Sequence, residues 1–271
     1  MTKAMRMMKE EMALVESVVY VLDARAPLSS INPAFDEVIG NRPILFVLNK
    51  CDTVPIEELN RWKPYFTREN TRCVSSNSLA KGGAKRIVTE LTELNAATIE
   101  RYRQKGVNKT IRAMVIGVPN CGKSTLINSL IGKTRAVTGN RPGVTRGKQW
   151  VAIDRYLELL DTPGTLYPDF ADQNKATHLA IIGSIKDEIL DIVELGEEIL
   201  RFLAKEYPEL LKQRYKLTEI PQEEDLLSVV AKKRGYVLRG AEPDYERAAQ
   251  SVVTDFRKQA FGNVILEKYD G

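Results

Sequence analysis

Short apolar runs rich in β-branched residues recur along the first two thirds of the chain, at residues 18–22, 44–48, 72–74, 113–116, 150–153 and 156–160. Each ends in a polar or glycine-rich loop. Helical patterns occupy most of the intervals, as at residues 56–66 and 84–102. Strand, loop and helix in alternation predict an α/β fold, a parallel sheet flanked by helices on both faces. Ligands of such sheets sit outside the carboxyl ends of the strands. The runs 150–153 and 156–160 are separated only by Asp154 and Arg155, which predicts a hairpin and hence one antiparallel edge.

From about Asn174 the rhythm changes. Residues 189–206 carry Ile189, Ile192, Val193, Ile199, Leu200 and Leu203 at close to helical spacing. Pro208, Pro221 and Pro243 each open or limit a helix in this reading. The pattern predicts two domains, an α/β domain over residues 1–173 and an all-helical one over 174–271.

Three motifs fall at strand ends. Gly117-Val118-Pro119-Asn120-Cys121-Gly122-Lys123-Ser124 matches GxxxxGK[ST], directly after one strand and before the helical run 125–130. Glycines let the backbone wrap close to phosphates, so that successive N–H groups point at the anion. Lys123 then reaches the β- and γ-phosphates, and Ser124 offers a hydroxyl to Mg²⁺. Asp161-Thr162-Pro163-Gly164 follows the strand at 156–160 as a DxxG motif. Asp161 would hold Mg²⁺ through water, and the Gly164 N–H would sense the γ-phosphate. Asn49-Lys50-Cys51-Asp52 ends the strand at 44–48. The paired acceptor of Asp52 matches N1–H and the exocyclic amine of guanine, an arrangement adenine does not offer.

Weaker signals complete the set. Ser76-Asn77-Ser78-Leu79 fits the looser loop that meets guanine O6 through backbone N–H groups. Thr145, inside Arg141-Pro142-Gly143-Val144-Thr145-Arg146, is the candidate second Mg²⁺ hydroxyl, the alternative being a surface threonine beside a Pro-Gly turn. The nucleotide-contacting candidates are therefore Asn49, Lys50, Asp52, Asn77, Ser78, Pro119, Asn120, Cys121, Gly122, Lys123, Ser124, Thr125, Thr145 and Gly164. Lys123, Thr145 and Gly164, which reach the transferred phosphate or its metal, are the catalytic candidates. Ser124, Thr145 and Asp161 are the candidate Mg²⁺ ligands. Next to a helix N-terminus and Lys123, Cys121 is expected to ionise easily and react with thiol reagents unless nucleotide covers it.

Ordinary small GTPases run P-loop, Thr loop, DxxG, NKxD and SAK-like loop. Here the order is NKxD, SAK-like loop, P-loop, Thr145 and DxxG. That order resembles the circularly permuted GTPases, and among them the bacterial ribosome biogenesis GTPase A family. The likeness extends to Asp23-Ala24-Arg25-Ala26-Pro27, Ser29-Ser30-Ile31-Asn32-Pro33, Gly183-Ser184-Ile185-Lys186-Asp187 and Lys233-Arg234-Gly235. It implies a cytoplasmic GTP-hydrolysing factor that acts late in assembly of the large ribosomal subunit, contacts its rRNA, uses GTP/GDP with Mg²⁺, and is monomeric off the ribosome. Asn120 resembles the P-loop asparagine that holds K⁺ in potassium-dependent GTPases; the alternative is a loop-capping asparagine. Thr165 and Leu166 stand where Ras-like enzymes carry a water-orienting glutamine. The family's histidine, in a Gly-His-Met segment before Met-Thr-Lys-Ala, falls outside this chain, which matches that segment's end at Met1-Thr2-Lys3-Ala4. The single histidine, His178, is expected to pack or face solvent.

Charge sharpens the picture. The 271 residues carry a net +4, but residues 173–271 hold fifteen Lys and Arg against eighteen Asp and Glu, so the excess lies in the first domain. Residues 101–153 contain eleven Lys and Arg and no acid, which suits a triphosphate or a nucleic-acid backbone, although a solvated basic face is the simpler alternative. In the helical domain only residues 232–239 concentrate positive charge. No apolar run reaches a membrane span, and residues 1–11 lack the apolar core of a secretory signal. Cys51, Cys73 and Cys121 form no metal-ligand spacing, which favours a reducing cytoplasm. A GTPase for tRNA modification or metal insertion would place the P-loop first, so this order argues against one. Intact Lys123, Ser124, Thr145 and Asp161 argue against a non-hydrolysing scaffold.

Overall fold

The computed structural model describes residues 3–80, 83–134, 150–161, 172–221 and 225–269. Contacts divide the chain into two units, Met1–Asp169 with Glu267–Gly271, and Phe170–Leu266. The crossing lies four residues before the expected 173/174 boundary. The tail from Glu267 belongs to the first unit, where Glu267 accepts from Leu28, Ser29 and Trp62.

The first unit is built on β1 (Ser17–Asp23), β2 (Ile44–Asn49), β3 (Thr71–Ser76), β4 (Ile111–Ile116), β5 (Trp150–Asp154) and β6 (Leu157–Asp161). Their order in the sheet is β3-β2-β1-β4-β6-β5, all parallel except the β5–β6 hairpin. All seven residues of the central strand β1 are buried, as expected where helices cover both faces of a parallel sheet. Register aligns the strand ends: Asp23 lies opposite Asn49, Asn49 opposite Ser76, and Val115 opposite Asp161. Every motif therefore leaves the sheet along one edge.

The helices of this unit are α1 (Lys3–Met12), α2 (Ala34–Ile39), α3 (Ile56–Phe66), α4 (Gly83–Leu94), α5 (Ala96–Arg103) and α6 (Lys123–Thr134). The single helix expected over 84–102 is two. Asn95 interrupts it with a buried side chain that donates to the Leu91 carbonyl at 2.8 Å and to Ser17 Oγ at 3.2 Å. An asparagine amide that bonds the preceding turn competes with the helical ladder.

The second unit is helical: α7 (Gln173–Ile181), α8 (Ile192–Glu206), α9 (Pro208–Tyr215), α10 (Leu226–Arg234) and α11 (Tyr245–Arg257). Four of these helices are capped by aspartate, with Asp172, Asp191, Asp225 and Asp244 each accepting from first-turn N–H groups. The cap at Asp191 explains why α8 starts at Ile192 and leaves Ile189 exposed in a 3₁₀ turn. Pro208 opens α9 at its first turn, as expected. The core joins Leu195, Ile199 and Leu203 of α8 to Ala249, Val252 and Phe256 of α11. Beside it, the buried Asp255 accepts from Arg214 at 2.6 and 2.9 Å, from Arg234 at 2.9 Å and from the Tyr215 hydroxyl at 3.3 Å. No helix among the described residues is long and apolar enough to cross a membrane.

Candidate functional site

The loop between β4 and α6 is shaped by two glycines in positive-φ conformations. A Cβ on Gly117 would stand 2.3 Å from the Val21 carbonyl oxygen, and one on Gly122 would stand 2.2 Å from Asn49 Nδ2. Neither position accepts a side chain. The loop closes on Lys123, the first residue of α6, whose ammonium is buried. It donates to the carbonyls of Gly117 at 3.1 Å and Val118 at 2.9 Å. Among the described residues no carboxylate pairs with it. A desolvated ammonium at a helix N-terminus, held by neutral carbonyls, is a site that an anion would complete. Ser124 and Thr125 follow on the exposed side of the first turn of α6.

The 49–52 loop is fastened to this cradle by its first two side chains. Asn49 Nδ2 donates to the Cys121 carbonyl at 2.8 Å, and Asn49 Oδ1 accepts from Ser78 Oγ at 2.6 Å. Lys50 donates to the Asn120 carbonyl at 2.7 Å and to Asp23 Oδ2 at 2.7 Å. Both Lys50 and Asn120 have left-handed backbones, φ 58 and 59. Asp52 is exposed at the same edge, two residues along a 3₁₀ turn that Thr53 ties back to the Lys50 carbonyl. The 76–79 loop reaches the group through Ser78. Asn77 accepts from the Leu79 N–H at 2.9 Å, an internal turn, while the buried Ser76 hydroxyl has no hydrogen-bond partner among the described residues.

The candidates Asn49, Lys50, Asp52, Ser78 and residues 119–125 are thus gathered on one rim, and the backbone of Asp161 ends β6 beside β4. Thr145 and Gly164 lie outside the described residues, as do Thr162, Pro163 and most of the segment that follows them. Asp23 and Arg25, which the sequence marked only through the family likeness of residues 23–27, enter the network through their bonds to each other and to Lys50. Burial works against the Asp23 carboxylate, but Arg25 and Lys50 outweigh it and hold its pKa down at about 2.

Cys121 departs from expectation. Its thiol is fully buried, and that burial pushes its pKa up to about 11 in spite of Lys123 nearby. Desolvation exceeds the helix-dipole and ammonium effects, so this is not a readily ionised cysteine. Part of the basic run is also spent structurally: Lys109 pairs with Glu16, and Arg112 pairs with Glu158 at 3.1 Å while lying 5.1 Å from the centre of the Trp150 ring. His178 lies on α7 at a cleft of about 510 Å³ within the helical unit, lined also by Ile181, Leu195 and Phe202. In the 232–239 patch Arg234 is turned inward to Asp255, while Lys232, Lys233 and Arg239 are exposed.

The arrangement can hold a polyphosphate against the 117–124 cradle and a base against the 49–52 loop. Among the described residues no cluster of His, Cys, Asp or Glu would hold a metal by itself. A Mg²⁺ here would need the nucleotide's phosphates as further ligands, and the exposed Ser124 hydroxyl at the head of α6 fits that use.

Residues 112–233 match the family described as 50S ribosome-binding GTPase. The chain is 39% identical to ribosome biogenesis GTPase A of Bacillus pumilus, over 99% of this chain and 96% of that one. To ribosome biogenesis GTPase A of Priestia megaterium it is 42% identical, over 98% and 94%. The fold is similar to GNP-bound YlqF from T. maritima, with a TM-score of 0.69 and 26% identity over 98% of each chain.

Proposed function

This chain belongs to the ribosome biogenesis GTPase A family of circularly permuted GTPases, enzymes that hydrolyse GTP to GDP and phosphate, and on that premise we propose that it binds the precursor of the large ribosomal subunit and promotes its late maturation. The observation that carries the nucleotide part is the buried Lys123 ammonium, held by P-loop atoms while Asn49 and Lys50 bond to that same loop.

In this reading Lys123 exchanges two carbonyls for β- and γ-phosphate oxygens. Its desolvation is already complete before the substrate arrives, so little reorganisation remains at the moment of reaction. Asp52 presents its paired acceptor to the guanine edge, and the backbone at Asn77 and Ser78 meets O6. Pro119, Asn120, Cys121, Gly122 and Thr125 line the phosphates. Ser124, Thr145 and Asp161 would hold Mg²⁺ and Asn120 would hold K⁺, cations that neutralise charge developing between the β- and γ-phosphates. The Gly164 N–H senses the γ-phosphate.

The family description over residues 112–233, which run through both units, supports the large subunit as partner. The exposed Lys232 and Lys233 in the last turn of α10, with Arg239 five residues beyond its end, are the proposed rRNA contact. Off the ribosome we take the protein to be a cytoplasmic monomer.

Sedimentation with purified ribosomal subunits tests the assignment. Large subunits should retain the chain more strongly with a non-hydrolysable GTP analogue than with GDP, by about 5- to 150-fold for a coupling of ordinary size. Absence of large-subunit binding in both nucleotide states would overturn it.

A further inference from the structure

The sheet edge contains one carboxylate that the nucleotide reading does not use. Asp23 ends β1 between the strands that deliver the guanine loop and the phosphate loop, and its side chain is fully buried. One oxygen accepts from Arg25 Nε at 2.9 Å and from the Arg25 N–H at 3.1 Å. The other accepts from Arg25 Nη2 at 2.7 Å and from Lys50 Nζ at 2.7 Å. Arg25, itself 4% exposed, would already balance this charge. The second cation, Lys50, is the lysine of the guanine motif, and the same ammonium also donates to the Asn120 carbonyl of the P-loop.

Both residues joined through that ammonium hold left-handed backbones, which cost a non-glycine residue free energy and persist only where the surroundings impose them. The Lys50 conformation sets the direction in which the chain continues to Asp52. An ammonium with one anchor could swing towards solvent or towards the phosphates. With Asp23 behind it, it is held in place. We propose that Asp23 is a positioning residue for guanine recognition: by anchoring Lys50 it holds the 49–52 loop in register with the P-loop. The inference rests on the reading of that loop as the guanine site.

The test is a titration of the full chain with a fluorescent GDP, with IDP and ADP as competitors. IDP lacks the exocyclic amine that Asp52 would read. Asp23→Asn should weaken GDP binding about tenfold or more, the order expected for one charge-assisted hydrogen bond, and should narrow the preference for GDP over IDP. Loss of stability alone would lower the melting temperature without changing that preference. In a Lys50→Met background Asp23→Asn should cost almost nothing further in affinity, because the residue acts through Lys50.

Normal GDP affinity and preference in a folded Asp23→Asn protein would overturn the proposal. So would an equal loss from Asp23→Asn with and without Lys50. If Lys50→Met itself leaves affinity and preference intact, the guanine-loop reading falls first and the inference falls with it. Where Asp23→Asn alone fails to fold, because Arg25 is left buried and unpaired, the pair Arg25→Met and Asp23→Asn/Arg25→Met replaces it. The double variant should bind GDP about tenfold or more weakly than Arg25→Met alone, and equal affinities in the two would reject the role.

Discussion

At the scale of single residues, the P-loop sets two opposing effects against each other at Cys121. The helix N-terminus and Lys123 favour a thiolate, but complete burial opposes it and wins, leaving a pKa of about 11. At neutral pH such a thiol stays protonated. Alkylation by iodoacetamide at neutral pH should therefore spare Cys121 and reach the half-buried Cys51 first, with Cys121 gaining reactivity as the pH is raised towards 11. Peptide mapping by mass spectrometry would show this order, and Cys121 labelling at neutral pH as fast as Cys51 would contradict it. Lys123 is the complementary case: its charge stays buried because carbonyls satisfy it until an anion does.

At the scale of elements, α8 and α11 meet closely where Gly196 faces Ala249. A Cβ on Gly196 would lie 2.8 Å from Ala249 Cβ and 2.9 Å from Ala249 Cα. Helix propensity favours alanine over glycine by about 1 kcal/mol in an exposed helix. Here the methyl group meets backbone and Cβ that cannot swing away, so overpacking decides the sign. Gly196→Ala should destabilise the helical unit by about 1–3 kcal/mol, read as a lower denaturant midpoint. A midpoint that stays put or rises would show that the two helices can separate cheaply. Gly196 and the buried Ala249 are the small pair that permits this approach, between the larger apolar side chains of the two helices.

At the scale of the whole molecule, the chain leaves the GTPase unit near Asp169 and rejoins it at Glu267. The Glu267 carboxylate accepts from the Leu28 N–H at 2.6 Å, the Ser29 N–H at 3.0 Å and the Ser29 hydroxyl. Its carbonyl accepts from Trp62 Nε1 at 2.9 Å, and the Tyr269 ring packs edge-on to Trp62 at 5.2 Å. The half-buried tail therefore packs on the first unit over α3. A chain ended after Leu266 should unfold several degrees lower in that unit, since it loses charge-assisted hydrogen bonds and an aromatic contact of about 2–4 kcal/mol together. Trp62 emission should shift to the red at the same time. An unchanged melting temperature and emission would mean that the tail rests on the unit without supporting it.

The α/β rhythm, the antiparallel hairpin, the helical second half and the permuted order of the motifs were all legible in the sequence. Each depends on neighbours a few residues apart or on chain order itself: apolar runs make buried strands, and GxxxxGK[ST] carries its loop geometry in its glycines. Other features could be decided only by tertiary structure. Lys50 meets Asn120 across seventy positions, and Glu267 meets Ser29 across 238. Asn95 divides a helix that periodicity reads as continuous, since its amide reaches Ser17 on β1. Cys121 exchanges an activating environment for a burying one, because desolvation depends on what the rest of the sheet edge packs against it. Local pattern determines which elements form and which chemistry they carry. Folding brings distant residues within a few ångströms, and at that range charge pairing, burial and backbone strain take their signs.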